Sequence, residues 1–370
     1  MLALDFLFYI FIGTIACQAF YYGVIFMQFA FVKEHKKTRK NTPVSVIICA
    51  KNESKNLKRF LHSVICQDYK NYEIVLINDA SYDDTLEVMK SFKVSHDNIK
   101  IVNVKSIEAF WGNKKYALTL GIKASTHELL LFTDADCEPL SPQWISEMTS
   151  HFSNEKSLVL GYGAYHKKKH NFLNKVIRFE TLLTAVQYFS YSIIGLPYMG
   201  VGRNLAYRKE EFFNVGGFIN HIKTRSGDDD LFVNQVATKH NTAICFSKDS
   251  FTASIAKDAF KDWFQQKRRH VSTAKHYKFK HQFLLGLFYS SQFLFWTTAI
   301  TLLLLGFRWE FVLGLTVFRI ALQFISIGVS AKKLNETDLI ILLPFLELFL
   351  IIVQFLIFIT NLISKPSHWK

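Results

Sequence analysis

The sequence predicts an α/β domain with a largely parallel sheet, set in the chain between apolar segments long enough to cross a bilayer. Three observations carry this. Short β-rich runs alternate with helical periods between Val44 and Thr133, the pattern of a parallel sheet covered by helices. Three of those runs end in carboxylates. Both ends of the chain hold apolar stretches that exceed the ~20 residues a helix needs to span hydrocarbon.

The elements follow in order. Val44–Ala50 is a β-rich run, and Leu57, Phe60, Leu61, Val64 and Ile65 then recur at helical spacing. Tyr72–Asp79 is a second strand, and Asp83-Asp84-Thr85 opens a second helix. Ile99–Val104 is the third strand, Lys114–Ala124 is helical by its place in the alternation, and Glu128–Thr133 is the fourth strand. Ligands of such sheets bind beyond the carboxyl ends of the strands. That edge receives Asn52-Glu53, Asp79 and Asp134-Ala135-Asp136. Phe172–Met199 reads as an amphipathic or buried helix, and the aromatic, basic stretch Trp263–Tyr277 as an interfacial one.

The first span runs from about Phe6 to Val32. It lacks the basic start of a signal peptide and is too long for one, so it is expected to stay as an anchor. Phe283–Phe307, Phe311–Ala331 with Arg319, and Leu339–Ile363 with Glu347 are the other candidate spans. Lys33, Lys36, Lys37, Arg39 and Lys40 put the end of the first span in the cytosol, and Lys332-Lys333 falls on the same side if all four segments cross. Lys365 and Lys370 then fall outside, against that pattern, and one carboxyl-terminal segment could instead be re-entrant or interfacial. The expected division is 1–32 as anchor, 33–280 as cytosolic α/β domain and 281–370 as membrane region with about three helices, in the inner cell membrane.

The chain has 44 Lys+Arg against 30 Asp+Glu. Juxtamembrane charge attracted to anionic lipid accounts for most of that excess, and no nucleic-acid module is visible. Five scattered cysteines with no C-x-x-C exclude a disulfide framework and a structural zinc.

Asp134 and Asp136 flank one small residue at a strand end. Such a pair suits Mg²⁺ or Mn²⁺ and the diphosphate that the ion bridges. From here the sequence resembles the family 2 glycosyltransferases, which have the GT-A nucleotide-sugar fold, over roughly Pro43 to His270. Val46–Glu53 looks like their first strand and N-E turn, and Asn78–Thr85 like their D-x-S-x-D-x-T element. The resemblance implies that Glu53 and Asp79 contact the nucleotide base and ribose. Gly112-Asn113-Lys114-Lys115-Tyr116-Ala117-Leu118 resembles G-G-K-x-x-A-L and directs Lys114, not Lys115, to the diphosphate. Gly200–Ala206 resembles the segment lining the sugar and acceptor side, where Arg203 meets phosphate or serves a structural salt bridge.

Ser226–Leu231 occupies the place of the family's E-D motif, so Asp228, Asp229 and Asp230 are candidates for the general base on the acceptor hydroxyl. Asp229 is preferred, and a different register favours Asp228. Crowded like charges should raise at least one pKa; capping of the following helix is the alternative for one or two of the three. Asp83 and Asp84 read as helix caps. Gln266, Arg269 and His270 match the Gln, Arg and Trp of Q-x-x-R-W, an element over the diphosphate. His270 in the Trp place speaks against processive polymer synthesis.

These residues lead to an inverting, metal-dependent transfer from a nucleotide sugar, by resemblance a UDP-sugar, to a lipid-linked or envelope acceptor. The rivals are a polysaccharide synthase that also secretes, a transporter with a nucleotide-sensing domain, and a non-catalytic scaffold.

Overall fold

The computed structural model describes residues 2–34, 41–105, 114–224 and 226–364. In chain order, α1 (Leu2–Phe20) continues through a π-helical turn (Tyr21–Ile25) into α2 (Phe26–Phe31). Then come β1 (Val44–Ala50), α3 (Ser54–Ile65), β2 (Tyr72–Asp79), α4 (Thr85–Ser95), β3 (Ile99–Val104), α5 (Lys114–Ala124) and β4 (Leu129–Asp134). Shorter pieces follow: β5 (Cys137–Pro139), α6 (Trp144–Ser150), β6 (Leu158–Leu160) and β7 (Gly163–Tyr165). After α7 (Phe172–Ile193) lie β8 (Leu205–Arg208), α8 (Lys209–Asn214), α9 (Asp230–Val236), β9 (Thr242–Ile244) and β10 (Thr252–Ser254). The last elements are α10 (Phe260–Val271), α11 (Phe279–Leu304), α12 (Trp309–Lys333), a 3-10 segment (Thr337–Leu342) and α13 (Leu343–Ile363).

The chain forms two compact units. One comprises Glu34–Lys167 and Gly195–Ala256, the other Met1–Lys33, Lys168–Ile194 and Lys257–Lys370. The grouping is not the linear one read from the sequence. α7 and α10 belong with the apolar helices, because Arg178 of α7 is buried against Glu336 and Asp338, and Arg268 of α10 binds Asn361 and Ser364.

In the α/β unit the main sheet has the order β3-β2-β1-β4-β8-β6-β9. The first four strands are parallel, as the alternation requires. β8 runs antiparallel to both β4 and β6, so the sheet is mixed beyond β4. β5, β10 and β7 make a second small sheet. Strand alternation decides what each face receives. Val46 and Ile48 of β1, with Leu129 and Leu131 of β4, pack in one core with Leu57 and Leu61 of α3 and Trp144 of α6. Ile47, Cys49, Phe132 and Asp134 therefore point to the opposite face. α5 closes on that face so tightly that a Cβ on Gly121 would lie 2.1 Å from Ile77 Cδ1. Any larger residue there would force the Ile77 side chain to move.

In the other unit, Leu2–Phe31, Phe279–Leu304, Trp309–Lys333 and Thr337–Ile363 are long and apolar enough to cross a membrane. Arg319 and Glu347, the ionic groups expected within the spans, are fully buried and pair with each other. Glu347 also accepts from Tyr22 at 3.0 Å and from Gln292, and Arg319 donates to Gln18 at 2.7 Å. A buried ion pair in hydrocarbon persists only when partnered in this way.

Candidate active site

The carboxyl ends of β1 and β2 are tied together by their loops. Asn52 and Ala80 both take positive φ, 58° and 48°. The Asn52 N–H donates to Ser81 Oγ at 3.0 Å, and Asn52 Oδ1 accepts from Tyr82 N–H at 3.1 Å. Asp83 accepts from the N–H groups of Ser54 (3.3 Å) and Thr85 (3.0 Å), the first residues of α3 and α4. One carboxylate thus caps two helices, and these hydrogen bonds outweigh burial and hold its pKa below the ordinary value. Asp84 makes no capping side-chain bond. Glu53 accepts from Asn56 Nδ2, and its own N–H donates to Thr85 Oγ1 at 2.8 Å. Asp79, buried at the end of β2, has its pKa raised by burial against the pull of Lys51 and Lys114.

A pocket opens on the sheet face that α5 covers, lined by Cys49, Lys114, Asp134, Gly202, Asp228 and Asp229 among others. Parallel registry explains part of this set, since Cys49 and Asp134 are partners across β1 and β4. Lys114, the first residue of α5, lies 3.0 Å from both Asp134 Oδ1 and Asp228 Oδ2. Burial opposes its charge, yet the two carboxylates hold its pKa well above normal. Asp228 is the complement: burial pushes it up, but Lys114 prevails and its pKa is lowered.

Asp229 differs from its neighbour. Its Oδ2 accepts from Gly202 N–H at 2.7 Å and its Oδ1 from Asp230 N–H at 2.8 Å. Burial first, then Asp228 and Asp230, push its pKa up to about 7. Gly202 has a reason to be glycine, because a Cβ there would lie 3.2 Å from Asp229 Oδ2. Asp230 is buried at the start of α9, where its Oδ1 accepts from Leu231 N–H at 2.7 Å, and it does not line the pocket. Of the three aspartates, two face the cavity and one serves the helix.

Ligand atoms of Asp134, Asp136 and Cys137 lie within 4.8 Å of one another. Cys137 Sγ donates to Asp136 Oδ1 at 3.4 Å, and burial followed by the Asp136 and Asp134 charges raises its pKa well above normal. The thiol stays protonated, so the donors suited to a hard cation are the carboxylate oxygens. Arg203 donates to Ala164 O and Ser254 Oγ, both at 3.1 Å, and stacks over Tyr165 at 4.3 Å. Burial opposes its charge, but the acidic groups around it, the Asp136 and Asp134 carboxylates among them, outweigh that and raise its pKa.

Lys115 has a role its neighbour's motif concealed. It is fully buried and donates to the carbonyls of His221, Thr224 and Ser226 at 2.8, 2.8 and 2.9 Å. It anchors the segment that delivers Asp228 and Asp229, while burial lowers its pKa to about 8. The available signal was the tandem Lys114-Lys115 at a helix start, whose members point about 100° apart. Gly112 and Asn113 of the same motif lie outside the described residues. Gln266 and Arg269 are half-buried on α10 and His270 is exposed. They belong to the helical unit, and burial lowers the Arg269 pKa.

A sheet whose acidic strand ends surround a lysine fits a transferase that binds a nucleotide sugar. Residues 45–222 match the family model described as Glycosyl transferase family 2, and the chain carries a domain of that family. Glycosyltransferase AglE of Haloferax volcanii is 34% identical over 112 residues, 30% of this chain and 35% of that protein. A poly-beta-1,6-N-acetyl-D-glucosamine synthase of Staphylococcus epidermidis is 36% identical over 93 residues, 25% of this chain and 21% of the synthase. The matched stretches thus span about a third or less of these relatives. A mannosyltransferase of Pyrobaculum calidifontis, PcManGT, solved with GDP-Man and Mn²⁺, superposes with a TM-score of 0.57 at 16% identity, covering 88% of this chain and 99% of that one. That likeness supports the GT-A fold expected from the sequence.

Proposed function

We propose that the chain is a membrane-anchored, inverting glycosyltransferase that moves a sugar from a nucleoside-diphosphate donor to a membrane-associated acceptor. The observation that carries it is the division of labour between Asp228 and Asp229. One is neutralised by Lys114, and the other is buried with a pKa near 7, the range suited to a general base. Asp229 takes the proton of the acceptor hydroxyl as its oxygen bonds to the anomeric carbon and the bond to the diphosphate breaks. A single displacement of this kind inverts the anomeric centre. Lys114 offsets charge on the departing nucleoside diphosphate. Asp134 and Asp136 are the residues that would hold Mg²⁺ or Mn²⁺, which when bound supplies further positive charge at the diphosphate.

Glu53 and Asp79 are assigned to base and ribose, Arg203 to the sugar or acceptor side, and Gln266, Arg269 and His270 to the diphosphate side. The preferred domain division keeps the α/β unit in the cytosol of the inner membrane, where Lys33, Lys332 and Lys333 favour that side. The donor is read as a UDP-sugar by family resemblance; PcManGT was solved with GDP-Man, so both bases belong in the test. A processive synthase is the second reading, favoured by the staphylococcal relative. The deciding experiment offers UDP-, GDP- and dTDP-sugars with either metal to the lipid-reconstituted protein. Metal-dependent release of one nucleoside diphosphate, lost in Asp136→Ala and Asp229→Ala, is expected; no release from any donor, with membrane extract as acceptor source, overturns the assignment. Polymer enclosed in vesicles identifies the processive reading.

A further inference from the structure

Three of the four apolar helices share one depth scale. α1 and α11 run antiparallel: Phe8 meets Phe307, Phe11 meets Phe295, Gln18 Nε2 reaches Ser291 Oγ at 2.7 Å, and Tyr21 hydroxyl reaches Leu284 O at 2.6 Å. α12 runs in step with α1. Arg308 pairs with Asp5 at 2.8 Å, Arg319 with Gln18 at 2.7 Å, and Lys333 Nζ donates to Phe29 O at 2.9 Å. One end of the bundle is therefore marked by Asp5 and Arg308, the middle by Gln18 and Arg319, and the other end by Phe29 and Lys333.

α13 does not keep this scale. Its first turn is already at the middle, where Glu347 meets Arg319, Gln292 and, at 3.3 Å, Trp296. Tyr289 hydroxyl donates to Ile351 O at 3.3 Å, and Phe355 stacks on Phe293 at 5.2 Å. From Glu347 to Phe355 the helix rises about 12 Å, yet its partners on α11 stay between residues 289 and 296. A helix crossing alongside α11 would step along it by a matching number of residues. The far end of α13 then binds α10. Arg268 Nε donates to Asn361 Oδ1 at 2.9 Å, and its Nη2 donates to Ser364 O at 2.6 Å. This satisfies carbonyls that the helix end leaves open and places a cation where the helix dipole favours one. Arg268 precedes Phe279, the start of α11, by only eleven positions, and α11 starts at the Phe29–Lys333 end. Phe349 lies against Phe260 at the other end of α10, so the two helices run side by side.

We infer that α13 is not a fourth crossing but a re-entrant helix embedded in one leaflet, its partner the acyl chains of the leaflet on the Lys33 and Lys333 side. The chain descends to mid-depth over Thr337–Glu347, is pinned there by the Arg319–Glu347 pair, and leaves along α10. Phe345, Phe358 and Leu362 stay exposed at 72%, 53% and 70%, which acyl chains cover. The carboxyl end then returns to the side from which α11 and α13 start, and the basic Lys365 and Lys370 no longer violate charge bias. Length is no objection, since a 21-residue helix of about 32 Å fits either course.

The test uses the full chain in sealed membranes, with Cys66→Ser removing the exposed native thiol and a membrane-impermeant maleimide as probe. Thr337→Cys and Glu310→Cys, both exposed, calibrate the two sides. A cysteine appended after Lys370 is expected to label together with Thr337→Cys, and to be protected whenever Glu310→Cys is the reactive one. Labelling of the appended cysteine together with Glu310→Cys overturns the inference and restores a four-span topology. Neither outcome depends on transferase activity.

Discussion

The molecule contains two cation–carboxylate sites built from the same chemistry and put to opposite use. Arg319 and Glu347 are 0% and 1% exposed, and amides and a hydroxyl from several helices hydrogen-bond to them, although Arg319 Nε keeps no partner. The pair is neutral and closed. Lys114 is 31% exposed and faces Asp134 and Asp228, with Asp229, Asp230 and Asp136 beside them. Even with Arg203 and Lys115 nearby the cations do not balance these five acids, and burial together with the surplus negative charge lifts the Asp229 pKa. A charge-balanced ion pair organises a bundle; an under-neutralised one is ready to take a proton or a cation.

The sharpest way to break this contrast is to remove the raised carboxylate. Asp229→Asn is expected to lower kcat by about 10²–10⁴, with circular dichroism unchanged; an active variant would move the base elsewhere. Next is the closed pair. Arg319→Leu leaves Glu347 buried without its cation and is expected to cost about 3–5 kcal/mol, read as a lowered unfolding temperature in detergent. Arg319→Leu with Glu347→Leu should recover most of it, and equal loss in both would deny coupling.

A smaller effect is expected at Lys115. Lys115→Met strands three carbonyls behind the Asp228–Asp229 segment. About a tenfold fall in kcat, worth about 1.4 kcal/mol, should appear with donor KM little changed; a pure KM effect would refute a positioning role. The mildest lever is pH. A general base works only when ionised, so with Asp229 in the proposed role kcat/KM should rise through about pH 7 and lose that limb in Asp229→Asn. The linked stability has the reverse sign. A carboxyl raised from 3.8 to about 7 favours folding most below its unfolded value, and that contribution fades as pH climbs through 7.

Much of the catalytic half was legible because strand period and residue chemistry coincide. β1 and β4 are buried runs ending at Cys49 and Asp134, and pleating alone assigns those two to the pocket face. The antiparallel β8 was not legible, since four residues show no period and direction is not written in composition. The motif separated the tandem lysines but gave Lys115 no role, because what employs it is a set of backbone carbonyls more than a hundred positions away. Hydropathy marked α13 as apolar and long, which says nothing of its tilt. α7 and α10 looked like parts of the soluble half because their charges, Arg178 and Arg268, are exposed in no sequence plot and buried only once Glu336, Asp338 and the end of α13 meet them.

The long contacts of Gln18 have a consequence for how the protein is made. Its hydrogen-bond partners Ser291 and Arg319 lie 273 and 301 positions later in the chain. At ~5–20 residues per second, the ribosome needs roughly 15–60 s to supply them. Through that interval the first helix lacks these partners for its amide, and crosslinking from position 18 in stalled chains of increasing length should catch the moment they are met.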